Sequence, residues 1–454
     1  MHPPQSSHST VAWSSEDAER YLRSLELFGM RFGLDRMRRM MTALGSPERR
    51  FETIHVVGTN GKSSTTRMIA AILERHGLRT GTYTSPHLIS YTERVQVGER
   101  DLESDAFVAA ISRAAWAAER VNHTLAGDDH VTQFELLTAA ALWAMAELQV
   151  EVAVLEAGLG GRYDATSVID SRVTVLTNVG LEHTRWLGPT VGNIAEEKLA
   201  VLRPGTTLVL GEDLLPEALA VAERVAEEQD ARIVKAGAEL LDPTISLAAR
   251  GSFQRRNFAL ASTAAEAYLR VDGIEPREQA VREAAATTEV SGRLQVVGED
   301  PLTVLDGAHN PDAARALVQA LEEMLGDRPV ALVLGVLEDK DAASMLAALL
   351  PVCERAWFTV PPSSRALSPA ALQSLARQLG FDAVVCELEP WRALEQARRW
   401  VRERGEDAAV LATGSVYLVG DLLSHLRSAA EVGPEVVSST RARLTHTPSR
   451  RPAR

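Results

Sequence analysis

The sequence is poor in cysteine, in long apolar runs and in positive charge, and each shortage excludes a class of protein. Two cysteines, Cys353 and Cys386, are too few for a disulfide framework or a cysteine metal cluster. No apolar run reaches the ~20 residues of a membrane-spanning helix, and "MHPPQSSHST" at the start lacks the features of a secretory signal. We therefore expect a cytoplasmic protein with no membrane partner.

The formal net charge of -13 argues against nucleic acid as a partner, because a polyanion is bound by a basic surface. The strongly basic stretch is "RARLTHTPSRRPAR" at the C-terminal end, and its composition cannot build a core. We expect a disordered basic tail at 431–454 and a flexible N-terminus at 1–18.

Strand-like segments alternate with helical patterns along most of the chain, which predicts α/β domains with mostly parallel sheets. A helix-rich passage at 253–288 interrupts this alternation, so we place a domain boundary near residue 290. The prediction is a P-loop mononucleotide-binding domain at 19–290 and a smaller Rossmann-like α/β domain at 291–430. Strands are predicted at 52–58, 79–84, 150–156, 172–178, 206–211, 231–235, 302–305, 330–335, 356–360, 383–387 and 408–412.

The segment "GTNGKS" at 58–63 follows a predicted strand and opens a predicted helix. Two residues separate its glycines, whereas the common P-loop has four, so the segment predicts a shorter phosphate-binding loop. Backbone N–H groups, the helix N-terminus and the charge of Lys62 all suit a phosphate. The alternative is an ordinary turn with a solvated lysine.

Further motifs follow this loop in a fixed order: "TYTSPHLISYTERVQVGE" (82–99), "LEAGLGGRYDATSVID" (155–170), "TNVGLEHTRWLGPTVGNIAEEKLAVLRPG" (177–205) and "DGAHNP" (306–311). Together they resemble the folylpolyglutamate synthase/dihydrofolate synthase family, a branch of the Mur ligase superfamily. The resemblance extends from about residue 19 to about 427. It implies a monomeric ligase that uses ATP to convert a carboxylate of dihydropteroate or a reduced folate into an acyl phosphate, which the amine of L-glutamate then attacks.

The resemblance implies that Ser85, Glu156 and His183 hold magnesium, with two Mg²⁺ ions in the site. Oxygen ligands with an occasional imidazole suit this ion, which also bridges nucleotide phosphates. Taken singly, each residue has a structural alternative: a turn residue before Pro86, a carboxylate at a helix end, and a core histidine.

The resemblance also implies that Lys198 is carbamylated by CO₂, which requires a neutral and therefore partly desolvated amine. By default, Lys198 would be a solvated helix lysine near Glu196 and Glu197. The catalytic residues implied are Lys62, Lys198 and His183.

The nucleotide-binding residues implied by the family come from both predicted domains. Arg293 matches a position that contacts phosphates, Asp306 one that contacts the ribose, and Asn257 one that contacts adenine. Without the family, Arg293 would be a surface charge and Asp306 a turn cap. The full set is Thr59, Asn60, Gly61, Lys62, Ser63, Asn257, Arg293, Asp306 and His309.

The stretch "VTQFELLTAAAL" at 131–142 resembles the segment that holds dihydropteroate in bifunctional members of the family. Phe134 suits stacking on a pterin ring, and Glu135 suits its N–H edge. The alternative, compatible with the first, is a helix start with Thr132 as N-cap and Glu135 as its partner. The candidate substrate residues are Thr132, Gln133, Phe134, Glu135, Tyr163, Asp164 and Ala165.

Two rival functions stay open at this point. Another Mur-type ligase acting on a different carboxylate would share the ATP site, but we expect it to carry a uridine-nucleotide domain before the loop, and 57 residues precede Gly58 here. A non-catalytic nucleotide-dependent switch is disfavoured by the combination of Ser85, Glu156, His183 and Lys198.

Overall fold

The computed structural model describes residues 13–25, 33–237, 245–404 and 408–442. It divides into two compact units, Met1–Ser291 and Gly292–Arg454, each with its own sheet. The division lies next to the boundary that the sequence places near residue 290.

The first unit alternates strands and helices through most of its length. Its helices are α1 (Ser15–Ser24), α2 (Asp35–Leu44), α3 (Lys62–Arg75), α4 (Ser104–Asn122), α5 (Gln133–Glu147), α6 (Thr184–Leu187), α7 (Val191–Leu199), α8 (Pro216–Glu228), α9 (Ser252–Val271) and α10 (Glu278–Thr287). Its strands are β1 (Glu52–Val57), β2 (Thr80–Tyr83), β3 (Val95–Val97), β4 (Arg100–Asp101), β5 (Val152–Glu156), β6 (Val173–Leu176), β7 (Thr207–Leu210) and β8 (Arg232–Lys235).

These strands form one sheet in the order β4-β3-β2-β5-β1-β6-β7-β8. All neighbours from β2 to β8 are parallel, and only β3 and β4 are antiparallel. Val152 and Val154 of β5 join the core beneath α3 and α9, whereas Ala153 and Leu155 join the core beneath α4 and α5. Because successive residues point to opposite faces, β5 is buried on both sides and is apolar until Glu156.

This topology brings the loops that follow four central strands to the same edge of the sheet. Parallel strands have their carboxyl ends on one side, and β2, β5, β1 and β6 are consecutive neighbours. Ligands of open α/β sheets bind at this edge. The loop after β1 is the predicted phosphate loop.

The second unit is also an α/β structure. Its helices are α11 (Pro311–Leu325), α12 (Ala342–Leu349), α13 (Pro369–Gln378), α14 (Pro390–Arg404) and α15 (Val416–Ala442), and its strands are β9 (Gln295–Glu299), β10 (Leu302–Leu305), β11 (Val330–Leu334), β12 (Cys353–Phe358), β13 (Val384–Cys386) and β14 (Ala409–Thr413). The strand order is β13-β12-β11-β14-β10-β9, and β9 is antiparallel to β10 while the other pairs are parallel. The predicted fold class is confirmed in both units.

Every strand predicted from the sequence is present, but β3, β4 and β9 were not predicted. Strands β3 and β4 are three and two residues long, too short to show a period. They are joined by Gly98 and Glu99, both with positive φ (60° and 61°), as in the two-residue turns that match strand twist.

The predictions for the two chain ends need correction. Helix α1 begins at Ser15 with a capping box between Ser14 and Asp17, so the flexible N-terminus predicted to residue 18 extends too far. Helix α15 continues to Ala442, past the predicted start of the tail at 431. Residues 1–12 and 443–454 lie outside the described part of the chain.

Within the described part, no helix is both long and apolar enough to cross a membrane.

A buried ion pair fixes α2 against the start of α5. Nε of Arg36 donates to both carboxylate oxygens of Glu135 at 2.9 and 3.1 Å, and Nη1 donates to Asp129 at 3.1 Å. The residues Arg36 and Glu135 are 7% and 6% exposed. Removing one partner from such a pair leaves the other charge buried without compensation.

We predict that Arg36→Met lowers the free energy of unfolding by about 3–5 kcal/mol, because the Glu135 carboxylate loses its cation. Urea unfolding followed by circular dichroism measures this change. Arg38→Met, which removes an exposed arginine from the same helix, serves as control and should change stability by less than about 0.5 kcal/mol. Adding Glu135→Gln to Arg36→Met should recover part of the loss; equal stability of Arg36→Met and wild type would contradict the assignment.

Candidate active site

The phosphate loop connects β1 to α3 through residues 58–61. Gly61 is the N-cap of α3 with a left-handed φ of 82°, and the helix begins at Lys62. A Cβ atom at Gly61 would collide with Oδ1 of Asn257, so both the backbone conformation and the space require glycine. The loop therefore brings the N-terminus of α3 to the sheet edge.

The loop after β6 holds the phosphate loop in shape. The N–H of Thr59 donates to the carbonyl oxygen of Asn178 at 2.9 Å, and the N–H of Asn60 donates to its Oδ1 at 2.8 Å. Oγ1 of Thr177 donates to the carbonyl oxygen of Asn60 at 2.7 Å. Since these two N–H groups already have protein acceptors, the first-turn N–H groups of α3, which lack intrahelical acceptors, are the donors best suited to phosphate.

Two lysines meet at the carbonyl oxygen of Gly58. Nζ of Lys198 donates to it at 2.6 Å, and Nζ of Lys62 donates to it at 3.1 Å and to the carbonyl of Thr59 at 3.0 Å. Lys198 is buried in α7. Burial and the charge of Lys62 lower the pKa of Lys198 from its ordinary 10.5 to about 7, against the opposing effects of Glu182 and Asp164. The default expectation of a solvated helix lysine is therefore wrong, because the amine is desolvated beside a second cation.

Glu156, the last residue of β5, connects the phosphate loop to the segment after β2. Its Oε2 accepts from Oγ of Ser63 at 2.7 Å and from the backbone N–H of Ser85 at 3.1 Å. The carboxylate is buried, with the residue 2% exposed. Of the three predicted magnesium ligands, the structure thus brings Ser85 and Glu156 together.

His183 lies several residues beyond the end of β6, which ends at Leu176. It is the N-cap of α6 with a left-handed φ of 53°, and its Nε2 is 3.9 Å from Oε1 of Glu182. Its role as a ligand stays a prediction.

The donor set at this edge fits Mg²⁺ better than a metal held wholly by protein. Among the described residues, no group of three or more His, Cys, Asp or Glu side chains could hold a metal. The buried Glu156 carboxylate, with two hydroxyl-bearing residues beside it, instead offers one anionic oxygen at the phosphate loop. Mg²⁺ commonly takes one or two carboxylates and completes its shell with phosphate and water.

The start of α5 confirms the capping alternative for Thr132 and Glu135. Oγ1 of Thr132 accepts from the N–H of Glu135 at 3.3 Å, while the Glu135 carboxylate accepts from Thr132 and from Arg36. Glu135 is therefore part of the helix cap and of the buried ion pair. Its pterin contact stays a prediction.

Gln133 and Phe134 lie between α1, β2 and the loop after β5. Nε2 of Gln133 donates to the carbonyl of Leu22 at 2.7 Å. The ring of Phe134 is 6.1 Å from the ring of Tyr83, and a Cβ at Gly158 would approach it to 2.5 Å. The glycine after β5 thus makes room for this aromatic ring.

The loop after β5 is held from within by Asp164. Its carboxylate accepts from the N–H of Leu159 at 2.8 Å and from the N–H and Oγ1 of Thr166 at 3.0 and 2.6 Å. Thr166 is also 2.8 Å from Nε2 of His55, a buried residue of β1 that the sequence analysis did not single out. Tyr163 is about half exposed, whereas Ala165 is buried at the start of a short 3₁₀ turn.

The same loop contacts α7, the helix that carries Lys198. The N–H of Arg162 donates to the carbonyl of Glu197 at 3.0 Å, and a Cβ at Gly161 would lie 2.5 Å from the carbonyl oxygen of Lys198. Gly161, the last glycine of "GLGG", therefore permits close packing against α7.

Asn257 lies beside the phosphate loop, and its contact with adenine stays a prediction. Its Nδ2 donates to Oε1 of Gln254 at 2.9 Å, and its Oδ1 faces Gly61. Gln254 and Asn178 contact the candidate nucleotide residues Asn257 and Asn60 but were not predicted. Asn178 lies in the quoted "TNVG" motif, which was the available signal.

In the second unit, Asp306 organises the start of the domain. Its oxygens accept from the N–H of Leu294 at 2.9 Å and of Ala308 at 2.8 Å, and burial raises the pKa of the carboxyl despite the charge of Arg293. Arg293 lies against Gly307, and Nδ1 of His309 is 2.9 Å from the carbonyl oxygen of Gly307. These three predicted nucleotide residues are therefore neighbours.

Comparison with known proteins finds similarity along nearly the whole chain. Residues 56–239 match the Mur ligase middle domain, and residues 292–416 match the Mur ligase, glutamate ligase domain. The chain is 33% identical over 431 residues to the dihydrofolate synthase/folylpolyglutamate synthase of Escherichia coli, covering 92% of this chain and 96% of that protein. It is 35% identical to the folylpolyglutamate synthase of Lacticaseibacillus casei, covering 74% and 84%.

Solved structures show the same likeness. The Mycobacterium tuberculosis folylpolyglutamate synthase complexed with ADP superposes with a TM-score of 0.84 at 30% identity, covering 91% of this chain and 98% of that one. The Escherichia coli protein in complex with DHPP and ADP gives a TM-score of 0.78 at 31% identity, covering 92% and 98%.

The lowered pKa of Lys198 predicts a specific pH dependence of stability. Between about pH 7 and 10.5 the unfolded chain binds a proton at this lysine that the folded chain does not, so stability rises with pH. Lys198→Met should remove this contribution, and its stability relative to wild type should fall as pH rises through that window. Urea unfolding at several pH values measures this, with the exposed Lys235→Met as control for the loss of one charge. A difference independent of pH would contradict the assignment.

Proposed function

The chain belongs to the folylpolyglutamate synthase/dihydrofolate synthase family, and we propose that it joins L-glutamate to a carboxylate of dihydropteroate, of a reduced folate, or of both, at the expense of ATP. It is a ligase that forms a carbon–nitrogen bond. The observation that carries the proposal is the phosphate loop with Lys62 and Lys198 at one carbonyl, beside the buried Glu156. The relatives solved with ADP support the nucleotide.

The first step activates an unreactive acid. A carboxylate is a poor electrophile, and transfer of the γ-phosphoryl group of ATP to one of its oxygens gives an acyl phosphate and ADP. Such a transfer needs positioning and charge stabilisation more than a nucleophilic side chain. The first-turn N–H groups of α3 would hold phosphate oxygens. The ammonium group of Lys62 would leave the carbonyl of Gly58 and contact the phosphates of bound ATP.

Ser85, Glu156 and His183 would hold Mg²⁺, which supplies positive charge at the phosphates when bound. Glu156 offers the anionic oxygen, and the hydrogen bond from Ser63 keeps that oxygen beside the start of α3. The number of ions, two in the family, stays a proposal here.

Lys198 has the property that carbamylation requires. Its amine is neutral above about pH 7 and is held beside the phosphate loop. The nitrogen lone pair would form a bond to the carbon of CO₂, and the amine proton would leave to solvent, giving a carbamate anion. A neutral amine beside the phosphate loop would thereby become an anion, which would attract the cation of Lys62.

The second step is attack of the glutamate amine on the acyl phosphate, with phosphate as leaving group. No covalent enzyme intermediate is needed. The similarity of residues 292–416 to a glutamate ligase domain supports glutamate as the incoming amino acid. Asn257 is proposed to contact the base, Asp306 the ribose and Arg293 the phosphates, with His309 in a supporting role. The pterin would lie against Phe134 and Tyr163, near Gln133. A monomeric state and a cytoplasmic location also stay predictions.

The expected activity is release of ADP that depends on both glutamate and a pteroyl acid. The assay supplies ATP, magnesium and L-glutamate with either dihydropteroate or tetrahydrofolate, and mass spectrometry identifies the product. Lys62→Met should lower the rate by about 10²- to 10³-fold, since one electrostatic contact to the transferred group is lost, while Lys235→Met should not. ADP release without any glutamate adduct would refute the ligase assignment. A glutamate adduct of a different carboxylic acid would favour another Mur-type ligase.

A second prediction concerns the carbamate. Lys198→Ala should lose most activity, and short carboxylic acids such as acetate should restore part of it by supplying an anion in the space that the side chain leaves. The same acids added to Lys62→Met should restore nothing, because that variant lacks a cation. Full activity of Lys198→Ala in CO₂-free buffer would disprove the role.

A further inference from the structure

Arg94 is a buried arginine at the same sheet edge as the phosphate loop. It ends a 3₁₀ turn, and its carbonyl oxygen accepts from the N–H of Thr84, directly after β2, at 2.9 Å. Ser85, the next residue, donates to Glu156. Arg94 and the buried Glu156 are therefore connected through Thr84 and Ser85, the two residues that follow β2.

The contacts of the Arg94 guanidinium within the described residues are all with uncharged groups. Nε donates to Nδ1 of His87 at 3.0 Å, and the guanidinium carbon is 5.7 Å from the ring centroid of Tyr91. Burial and the charge of Arg94 lower the pKa of His87 to about 3, so this imidazole is neutral. Arg94 also opposes the rise that burial causes in the pKa of Tyr83, which reaches about 12.

Two carboxylates belong to the surroundings of Arg94: Glu93, its neighbour in sequence, and Asp164, which like Arg94 affects the pKa of Tyr83. Both accept hydrogen bonds from other groups. Glu93 accepts from the N–H groups of Leu88, Ile89 and Ser90, as the cap of its turn. Asp164 accepts from the loop that it holds.

Comparison with the other buried arginines shows that this arrangement is unusual. Three arginines in the described part of the chain are buried: Arg36, Arg94 and Arg398, at 7%, 8% and 8% exposure. Arg36 is paired with Glu135 and Asp129, and Arg398 is paired with Glu395 at 3.0 Å. Buried arginines are almost always paired, because an uncompensated buried charge is costly. Arg94 is the one of the three without an anion.

The surroundings of Arg94 indicate which anion is missing. Tyr83 contacts Phe134, and Nε2 of Gln133 is 3.5 Å from the hydroxyl of Tyr91. Arg94 thus shares its neighbours with the residues proposed to contact the pterin, while its backbone adjoins the segment that leads to Glu156. An acid whose ring lies at Phe134 and whose reacting end points to the phosphate loop would place negative charge between the two.

We propose that Arg94 binds a carboxylate of the pteroyl or folyl substrate, and that this carboxylate supplies the negative charge that the protein does not place beside the buried guanidinium. The inference rests on the proposed function. Nε donates to His87 and the guanidinium also hydrogen-bonds the side chain of Tyr83, so the other N–H groups would be the donors to a carboxylate. The carboxylate is either the reacting one, present in both dihydropteroate and tetrahydrofolate, or the α-carboxylate that only the folate carries.

The test measures binding to the full-length protein of dihydropteroate, of tetrahydrofolate and of the corresponding uncharged pteroyl carboxamide. Arg94→Met should weaken the acids by about 10- to 100-fold and leave the carboxamide unchanged, because only the charged hydrogen bonds are lost. Arg94→Lys should lose less, and the exposed Arg100→Met should lose nothing. Equal losses for both acids identify the reacting carboxylate, and a loss for tetrahydrofolate alone identifies the α-carboxylate.

Stability of the ligand-free protein separates this role from a structural one. Arg94→Met removes an uncompensated charge, so it should unfold no more easily than wild type, in contrast to Arg36→Met. A stability loss as large as that of Arg36→Met, an equal loss of affinity for acids and carboxamide, or no loss for either acid would overturn the proposal. If the methionine variant does not fold, the same binding series on Arg94→Lys decides. Glutamate-dependent ADP release by wild type, measured in parallel, shows separately whether the proposed function holds.

Discussion

The carbonyl oxygen of Gly58 accepts hydrogen bonds from two lysines, and this shared contact organises the chemistry of the first unit. Two ammonium groups at one oxygen repel each other, and the buried one yields because desolvation also acts against its charge. The result is one cation at the phosphate loop and one amine with a pKa of about 7 behind it. The proposed phosphate site and the lowered pKa of Lys198 thus depend on a single geometric arrangement.

Sheet topology creates that arrangement. The neighbours of β1 are β5 and β6, whose carboxyl ends carry Glu156 and Asn178, so both residues reach the phosphate loop without long connections. Helix α7 returns Lys198 to the same edge, and the glycines after β5 allow the close approach. Glycine is needed at Gly58 for a similar reason, since a side chain there would overlap Thr177.

The buried charges of the chain have different functions according to what compensates them. The Arg36–Glu135 pair is closed within the protein and fixes α2 to α5. Among the described residues, no carboxylate lies at the distance of an ion pair from Arg94 or Lys198, and both lie at the sheet edge where the substrates are proposed to bind. An ion pair formed within the protein contributes to the folded structure, whereas a buried basic group without a protein carboxylate is available for a ligand.

Much of the fold could be read from the sequence, because parallel strands buried on both faces appear as apolar runs between helical patterns. The three missed strands are short or antiparallel additions at sheet edges, where periodicity carries little information. The cap formed by Thr132 and Glu135 could also be predicted, since its partners are three residues apart.

By itself, the sequence determined the α/β architecture, the position of the phosphate loop and the family, because these depend on local patterns and on motifs in a fixed order. Only the tertiary structure decided which charges meet: that Lys198 shares an oxygen with Lys62, that Glu135 is bound by Arg36, and that Arg94 faces neutral partners. The hydrogen bonds from Lys198 and Arg36 reach residues 140 and 99 positions away, and the surroundings of Arg94 depend on there being no acid beside it among the described residues. Coulomb and desolvation energies depend on distance in space rather than along the chain.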